Sequence, residues 1–155
     1  MQALDLDKTD RQILNLLQTE PGINASAIGE AIGLSQSACW RRIQRLREAG
    51  VILDQAAALD AEKVGLNTMV FALVKLTSHG RSNLSAFGDA VRAFPEVQEC
   101  YLLMGTVDFL LRIVAEDIKA YERFFFDKLS QVPGVQEITS NIALSRIKHT
   151  TVLPL

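Results

Sequence analysis

Between Ile28 and Gly50 the chain carries the feature that most constrains its fold: Gly33-Leu34-Ser35 followed by a helix-forming run that stops at a second glycine. A glycine in the left-handed conformation ends a helix at no steric cost, and a serine immediately restarts one as an N-cap. Two helices joined so tightly must cross at a steep angle, with Leu34 packed inside the turn. A third helix precedes them. Asp7 is its expected N-cap, Ile13, Leu14 and Leu17 form its apolar stripe, and Pro21-Gly22 ends it. Asn24 caps the short middle helix, in which Ile28 and Ile32 share a face and Gly29 permits a close approach.

Wound at about 100° per residue, the run Ser35 to Gly50 separates into faces. Cys39, Ile43 and Leu46 fall on one stripe and are expected to be buried. Ser37, Arg41, Gln44 and Glu48 lie opposite, with Arg45 beside them. Gln36 and Ser37 occupy the first turn, where a helix entering a major groove touches base edges. This pattern predicts a recognition helix, with Ser35, Gln36, Ser37, Trp40, Arg41, Arg42, Gln44 and Arg45 as the DNA-binding residues. Arg41 and Arg45 point outward and are the expected phosphate or guanine contacts. Arg42 lies nearer the core and is open between DNA and a helix-one acid such as Asp10. Trp40 is open between DNA and packing on the helix flank.

Net charge is −2, which taken alone argues against a nucleic-acid partner. The distribution reverses that inference. Residues 1–60 hold six Lys or Arg against eight Asp or Glu, yet Arg41, Arg42, Arg45 and Arg47 stand together with no acid among them. Phosphate contacts act within a Debye length of ~8–10 Å, so a basic stripe on one element counts for more than the total. No apolar run approaches the roughly 20 residues of a membrane helix, and the first residues lack the pattern of a secretory signal. Cys39 and Cys100 have no metal-type spacing. These features predict a cytoplasmic, nucleoid-associated chain with no membrane partner, no cofactor and no metal.

Beyond residue 51 a β-wing is expected up to Leu59, and residues 60–67 read as a linker. The period then changes. Thr68–Leu76 is rich in branched residues and reads as a strand, Asn83–Phe94 as a helix stopped by Pro95, and Val97–Leu103 and Val107–Val114 as strands joined through Met104-Gly105-Thr106. Asp117–Leu129 reads as a helix and Val135–Ile147 as a last strand. The order βαββαβ predicts a ferredoxin-like domain. The fold class expected is therefore α+β: a winged helix-turn-helix over residues 1–59 and a ferredoxin-like ligand-sensing and oligomerisation domain over 68–155.

The residues that carry these features resemble the Lrp/AsnC (feast/famine) family of regulators. They are Leu6-Asp7-Lys8-Thr9-Asp10-Arg11-Gln12-Ile13-Leu14, Ile32-Gly33-Leu34-Ser35, Cys39-Trp40-Arg41-Arg42-Ile43-Gln44-Arg45-Leu46 and Ala49-Gly50-Val51-Ile52. In the second unit, Val97-Gln98-Glu99-Cys100-Tyr101, Gly105-Thr106-Val107-Asp108-Phe109-Leu110-Leu111 and Pro133-Gly134-Val135 resemble the family's effector-domain signature. The resemblance implies a transcriptional regulator of amino-acid metabolism or transport that binds double-stranded DNA. It implies homodimers, paired through the sheets of their C-terminal domains, that assemble into tetramers, octamers or larger rings. It also implies an amino-acid effector held between dimers, with Leu103, Met104, Gly105, Thr106, Val107, Asp108 and Ser140 as its site. Where the family often has a small hydroxyl residue before the turn glycine, this chain has Met104, and where it often has Thr-x-Thr it has Ile138-Thr139-Ser140.

The turn has a chemistry of its own. Gly105 would let backbone N–H groups approach a carboxylate, and Asp108 could accept from an ammonium group. A plain β-turn with a capping aspartate is the competing reading. A ligand-independent or architectural DNA-binding oligomer is the alternative function. Catalysis is not expected: Cys39 falls on a buried stripe, Cys100 in a strand, and neither His79 nor His149 has a metal-ligand partner at helical spacing.

Overall fold

The structure is a computed structural model that describes residues 5–53, 57–78 and 80–155. The chain divides into two compact units, one of residues 1–58 together with Lys148–Leu155, the other of Leu59–Ile147.

The first unit holds α1 (Lys8–Thr19), α2 (Ala25–Ile32) and α3 (Gln36–Glu48). Each start is fixed by the expected cap. The Asp10 amide donates to Asp7 Oδ1 at 2.7 Å while the Asp7 amide donates to Asp10 Oδ2 at 3.3 Å, a reciprocal capping box. Asn24 Oδ1 accepts from the amides of Ser26 and Ala27. Ser35 Oγ accepts from the Ala38 amide. Gly33, at φ 73°, turns the chain between α2 and α3. A Cβ on Gly29 would stand 2.6 Å from the Leu34 carbonyl oxygen, so the turn closes only over a residue without a side chain. Ile13, Leu14, Ile28, Cys39, Ile43 and Leu46 form the buried core.

The β-wing expected up to Leu59 is not formed in what is described. Residues 51–53 and 57–59 belong to no strand, and residues 54–56 lie outside the described residues. Instead the amides of Val51 and Ile52 turn back to the Leu46 carbonyl, which closes the end of α3.

The last eight residues contact the helices of the first unit. The Gln18 side chain brackets Leu153: its Nε2 donates to the Leu153 carbonyl at 3.3 Å, and the Leu153 amide donates to its Oε1 at 2.6 Å. Asn15 Nδ2 donates to the Leu155 carbonyl at 3.5 Å.

The second unit runs β1 (Thr68–Leu76), α4 (Arg81–Arg92), β2 (Val97–Leu102), β3 (Phe109–Ala115), α5 (Ile118–Asp127) and β4 (Val135–Ile142), with a 3-10 turn at Leu129–Gln131. The strands form one antiparallel sheet in the order β2-β3-β1-β4. This is the expected βαββαβ architecture. Val70, Ala72, Val74 and Leu76 of β1 alternate inward with Phe109, Leu111 and Ile113 of β3. Phe87 and Val91 of α4 and Tyr121 and Phe124 of α5 cover that face. The opposite face keeps Phe71 and Tyr101 exposed.

Boundaries shift at the ends. The helix expected to reach Phe94 stops at Arg92, since Pro95 disfavours a helical conformation in the residue before it. The last strand stops at Ile142, not Ile147, because the Ala143 amide makes the final bond, to the Met69 carbonyl.

Candidate functional site: the exposed face of α3 and the turn at 103–108

In α3 the buried stripe is the expected one, and burial raises the Cys39 thiol above its ordinary value. The opposite side exposes Gln36, Ser37, Trp40 and Arg41, while Gln44 is half-buried. Ser35 spends its hydroxyl on the cap and also sits 3.3 Å from the Ser37 hydroxyl. Arg41 and Arg47 have no ion-pair partner among the described residues, so both can meet a phosphate without breaking a bond within the chain.

Arg42 and Arg45 are placed differently. Arg42 Nη1 donates to Asp7 Oδ2 at 2.6 Å and to Asp10 Oδ1 at 2.8 Å. Arg42 thus pairs with both helix-one acids in this chain while its side chain stays about a third exposed. Arg45, expected to point freely outward, donates from Nη2 to Asp10 Oδ2. It remains half exposed but is not free. The Asp10 side chain is fully buried, so two guanidinium groups of the reading helix converge on one buried carboxylate of α1. Asp7 is held below the usual carboxylate range, first by the Asp10 amide and then by the Arg42 guanidinium. Both carboxylates in turn raise Arg42. A signal for this latch exists in the sequence: Asp10, Ile13, Leu14 and Leu17 follow the spacing of one buried helical stripe, which places Asp10 in line with the core.

At the other candidate site, Leu103 to Asp108 connect β2 to β3. The Leu103 amide donates to the Asp108 carbonyl at 2.8 Å, and the Asp108 amide donates to the Val74 carbonyl at 2.9 Å. Asp108 Oδ2 accepts from the Leu76 amide at 2.8 Å, so the carboxylate caps the end of β1. Leu103, Met104, Gly105 and Thr106 are exposed, Met104 completely, whereas Val107 and Asp108 are half-buried. A Cβ on Gly105 would meet nothing within 4 Å, so its surroundings within this chain are open. Ser140 lies opposite Ala72 and shares a 2.5 Å hydrogen bond with the Tyr121 hydroxyl. That bond ties it to α5 and not to the turn.

Among the described residues no group of three or more His, Cys, Asp or Glu is placed to hold a metal ion. No helix among them is long and apolar enough to cross a membrane. Cys100 is exposed in β2, His149 lies in the terminal segment, and His79 is outside the described residues.

Both units match known families. Residues 6–52 match a family described as winged helix-turn-helix DNA-binding, and residues 69–153 one described as the Lrp/AsnC ligand binding domain. The chain is 37% identical over 150 residues to the DNA-binding transcriptional activator DecR of Escherichia coli, covering 97% of this chain and 99% of that one. It is 36% identical to the glutamate uptake regulatory protein of Zymomonas mobilis, over 97% of this chain and 91% of that one. A transcriptional regulator of Neisseria meningitidis solved as its L-Met complex superposes with a TM-score of 0.88 at 37% identity, covering 97% of each chain.

Proposed function

From the premise that the chain belongs to the Lrp/AsnC family of DNA-binding transcriptional regulators, we propose that it is a sequence-specific regulator of amino-acid metabolism or transport, modulated by a small amino acid bound between dimers. The observation that carries the DNA-binding half is the face of α3, where Gln36, Ser37 and Arg41, which has no ion pair among the described residues, project from a helix anchored by its cap and by Asp10. The anchoring sets the direction of the helix, and the free side chains read. Arg45 contributes a half-exposed charge from the same face.

The effector half rests on Leu103–Asp108 and on what its relatives bind. Regulators this similar include one solved with L-methionine and one named for glutamate uptake. Exposed Tyr101, Leu102, Leu103 and Met104 form an apolar border suited to burial in an assembly of dimers. The open sheet face, with Phe71 beside the Glu99–Arg112 ion pair, is suited to pairing two copies. Asp108 already caps β1, so the turn offers its backbone N–H groups to a ligand carboxylate before its own carboxylate to an ammonium group. The protein works in the cytoplasm, at the nucleoid. An amino acid that prefers one assembly shifts the spacing of the reading helices, and therefore the operators bound.

The capping role of Asp108 also favours a second reading, an architectural oligomer that needs no ligand. A thermal-shift and size measurement against each amino acid separates the two: a ligand-modulated regulator changes melting or assembly with at least one, an architectural oligomer with none. DNA binding is tested by selecting bound duplexes from a random pool and then measuring Arg41→Ala on the best of them. Loss of one phosphate contact reduces the slope of log affinity against log salt by about 1. An unchanged affinity and slope would remove Arg41 from the interface.

A further inference from the structure

The arginines of α3 at positions 41, 42, 45 and 47 stand within six residue steps, about 9 Å of helix rise, so one stretch of phosphate backbone lies within reach of them all. Each phosphate that a free cation neutralises releases counterions, and this supplies nearly all of the binding to DNA of arbitrary sequence. The structure divides the four arginines into two pairs. Arg42 is held by Asp7 and Asp10, and Arg45 by Asp10. Two guanidinium charges there meet two carboxylate charges, and the group is neutral as a whole. Arg41 and Arg47 have no ion pair among the described residues.

Asp10 differs from a surface acid that happens to lie near a base. Its side chain is fully buried, while those of Arg42 and Arg45 are 32% and 49% exposed. Salt therefore screens its charge less than that of an exposed carboxylate. It also accepts from the Asp7 amide, so it belongs to the cap that starts α1 and is in place before DNA arrives. Well-packed apolar residues of the same volume commonly stabilise a core as well as a buried ion pair does. Stability alone thus does not call for a carboxylate at this position, whereas control of the arginine charges does.

We propose that Asp10, assisted by Asp7, is a positioning residue that acts through Arg42 and Arg45 to set how strongly the protein discriminates between its operators and other DNA. The two acids withdraw Arg42 and Arg45 from phosphate neutralisation, and Arg41 and Arg47 carry the salt-dependent attraction of α3. Binding to arbitrary DNA is thereby held down, while Gln36, Ser37 and Arg41 stay on a helix of fixed direction. The inference rests on the reading that this face of α3 meets DNA.

The test uses the full chain, a duplex selected from a random pool and an unrelated duplex of equal length, with affinities measured from about 50 to 200 mM salt. Asp10→Asn keeps the shape of the side chain and releases the charge of one arginine. On the unrelated duplex it should steepen the slope of log affinity against log salt by about 0.9, an extra loss of about 3.5-fold over that range. Affinity for that duplex at the lowest salt should rise. On the selected duplex the released charge is offset by a helix less firmly held, so the ratio of selected to unrelated binding should fall by roughly threefold or more. Asp7→Asn, which retains an N-cap, should act in the same direction by less, because Asp7 is half exposed. Adding Arg45→Ala to Asp10→Asn should return the slope to the wild-type value. Loss of fold cannot imitate this pattern, since it raises affinity for no duplex. If Asp10→Asn keeps the wild-type slope and ratio, or weakens both duplexes by the same factor, while Arg41→Ala still lowers the slope by about 1, the proposal is overturned and the reading of α3 stands. If Arg41→Ala also leaves slope and affinity unchanged, the reading of that face fails and the proposal fails with it.

Discussion

Replacing Asp10 by alanine removes a fully buried carboxylate that accepts from the Asp7 amide, from Arg42 and from Arg45. Hydrogen bonds to a charged group are worth about 1.5–3 kcal/mol each when both partners are shielded. The two guanidinium groups are not: their side chains are 32% and 49% exposed, and water recovers part of what each loses. Discounted to about 1 kcal/mol each, with a similar amount for the amide, the loss is about 3 kcal/mol. In a unit of this size 1 kcal/mol moves the melting midpoint by about 4–8 °C, so the expected drop is about 12–24 °C. The chain has a single tryptophan, Trp40, and it lies in α3, the helix that carries both arginines. Its fluorescence follows the first unit alone, which matters because a chain of two units need not unfold in one step. Asp10→Asn keeps acceptor capacity without charge and should fall between alanine and wild type. Arg45→Ala should cost less than Asp10→Ala, and the double variant should fall short of the sum, since both remove one ion pair. If Asp10→Ala melts within about 2 °C of wild type, the carboxylate is not a latch and the placement of Arg42 and Arg45 carries no structural weight.

Gly29→Ala should lower the same fluorescence midpoint, because a Cβ 2.6 Å from the Leu34 carbonyl must displace backbone at about 1–3 kcal/mol, more than the roughly 1 kcal/mol that alanine returns in helix propensity; a rise in midpoint would contradict the close approach. Asp7 has its carboxyl lowered from an ordinary 3.8, so its contribution is complete above that pH and disappears as pH falls through the lowered value. Asp7→Asn should therefore be less stable than wild type near neutrality and converge on it in acid, as pH-dependent melting will show. A thiol reagent should modify Cys100 in the native protein and reach fully buried Cys39 only on unfolding; Cys100→Ser should abolish the native reaction.

What the sequence disclosed depended on the range of the physics involved. Caps act over three residues, so Asp7, Asn24 and Ser35 were legible from side-chain chemistry alone, and all three form the bonds expected. The branched residues of Thr68–Leu76 marked β1 to its last residue. The pairing of Arg45 with Asp10 was not legible, because a helical wheel gives the direction in which a side chain leaves its helix, not how far it bends back. The face of Ser140 was legible, since it is two residues from core-packed Ile138, although its bond to Tyr121 was not. The expected wing rested on a short branched run that passes through residues 54–56, which lie outside the described residues. The Gln18–Leu153 contact spans 135 positions and leaves no periodic trace.

The contact made by Gln18 has a consequence for how the protein is made. The unit that carries α3 comprises residues 1–58 and Lys148–Leu155, so the whole second unit intervenes in the chain between its two parts. On the ribosome the three helices can fold early, but the strand of backbone that Gln18 and Asn15 hold emerges only after every residue of the sheet. The helix-turn-helix unit therefore receives these contacts only once the second unit has been synthesised in full, and a chain broken off after the sheet would present helices lacking those ties.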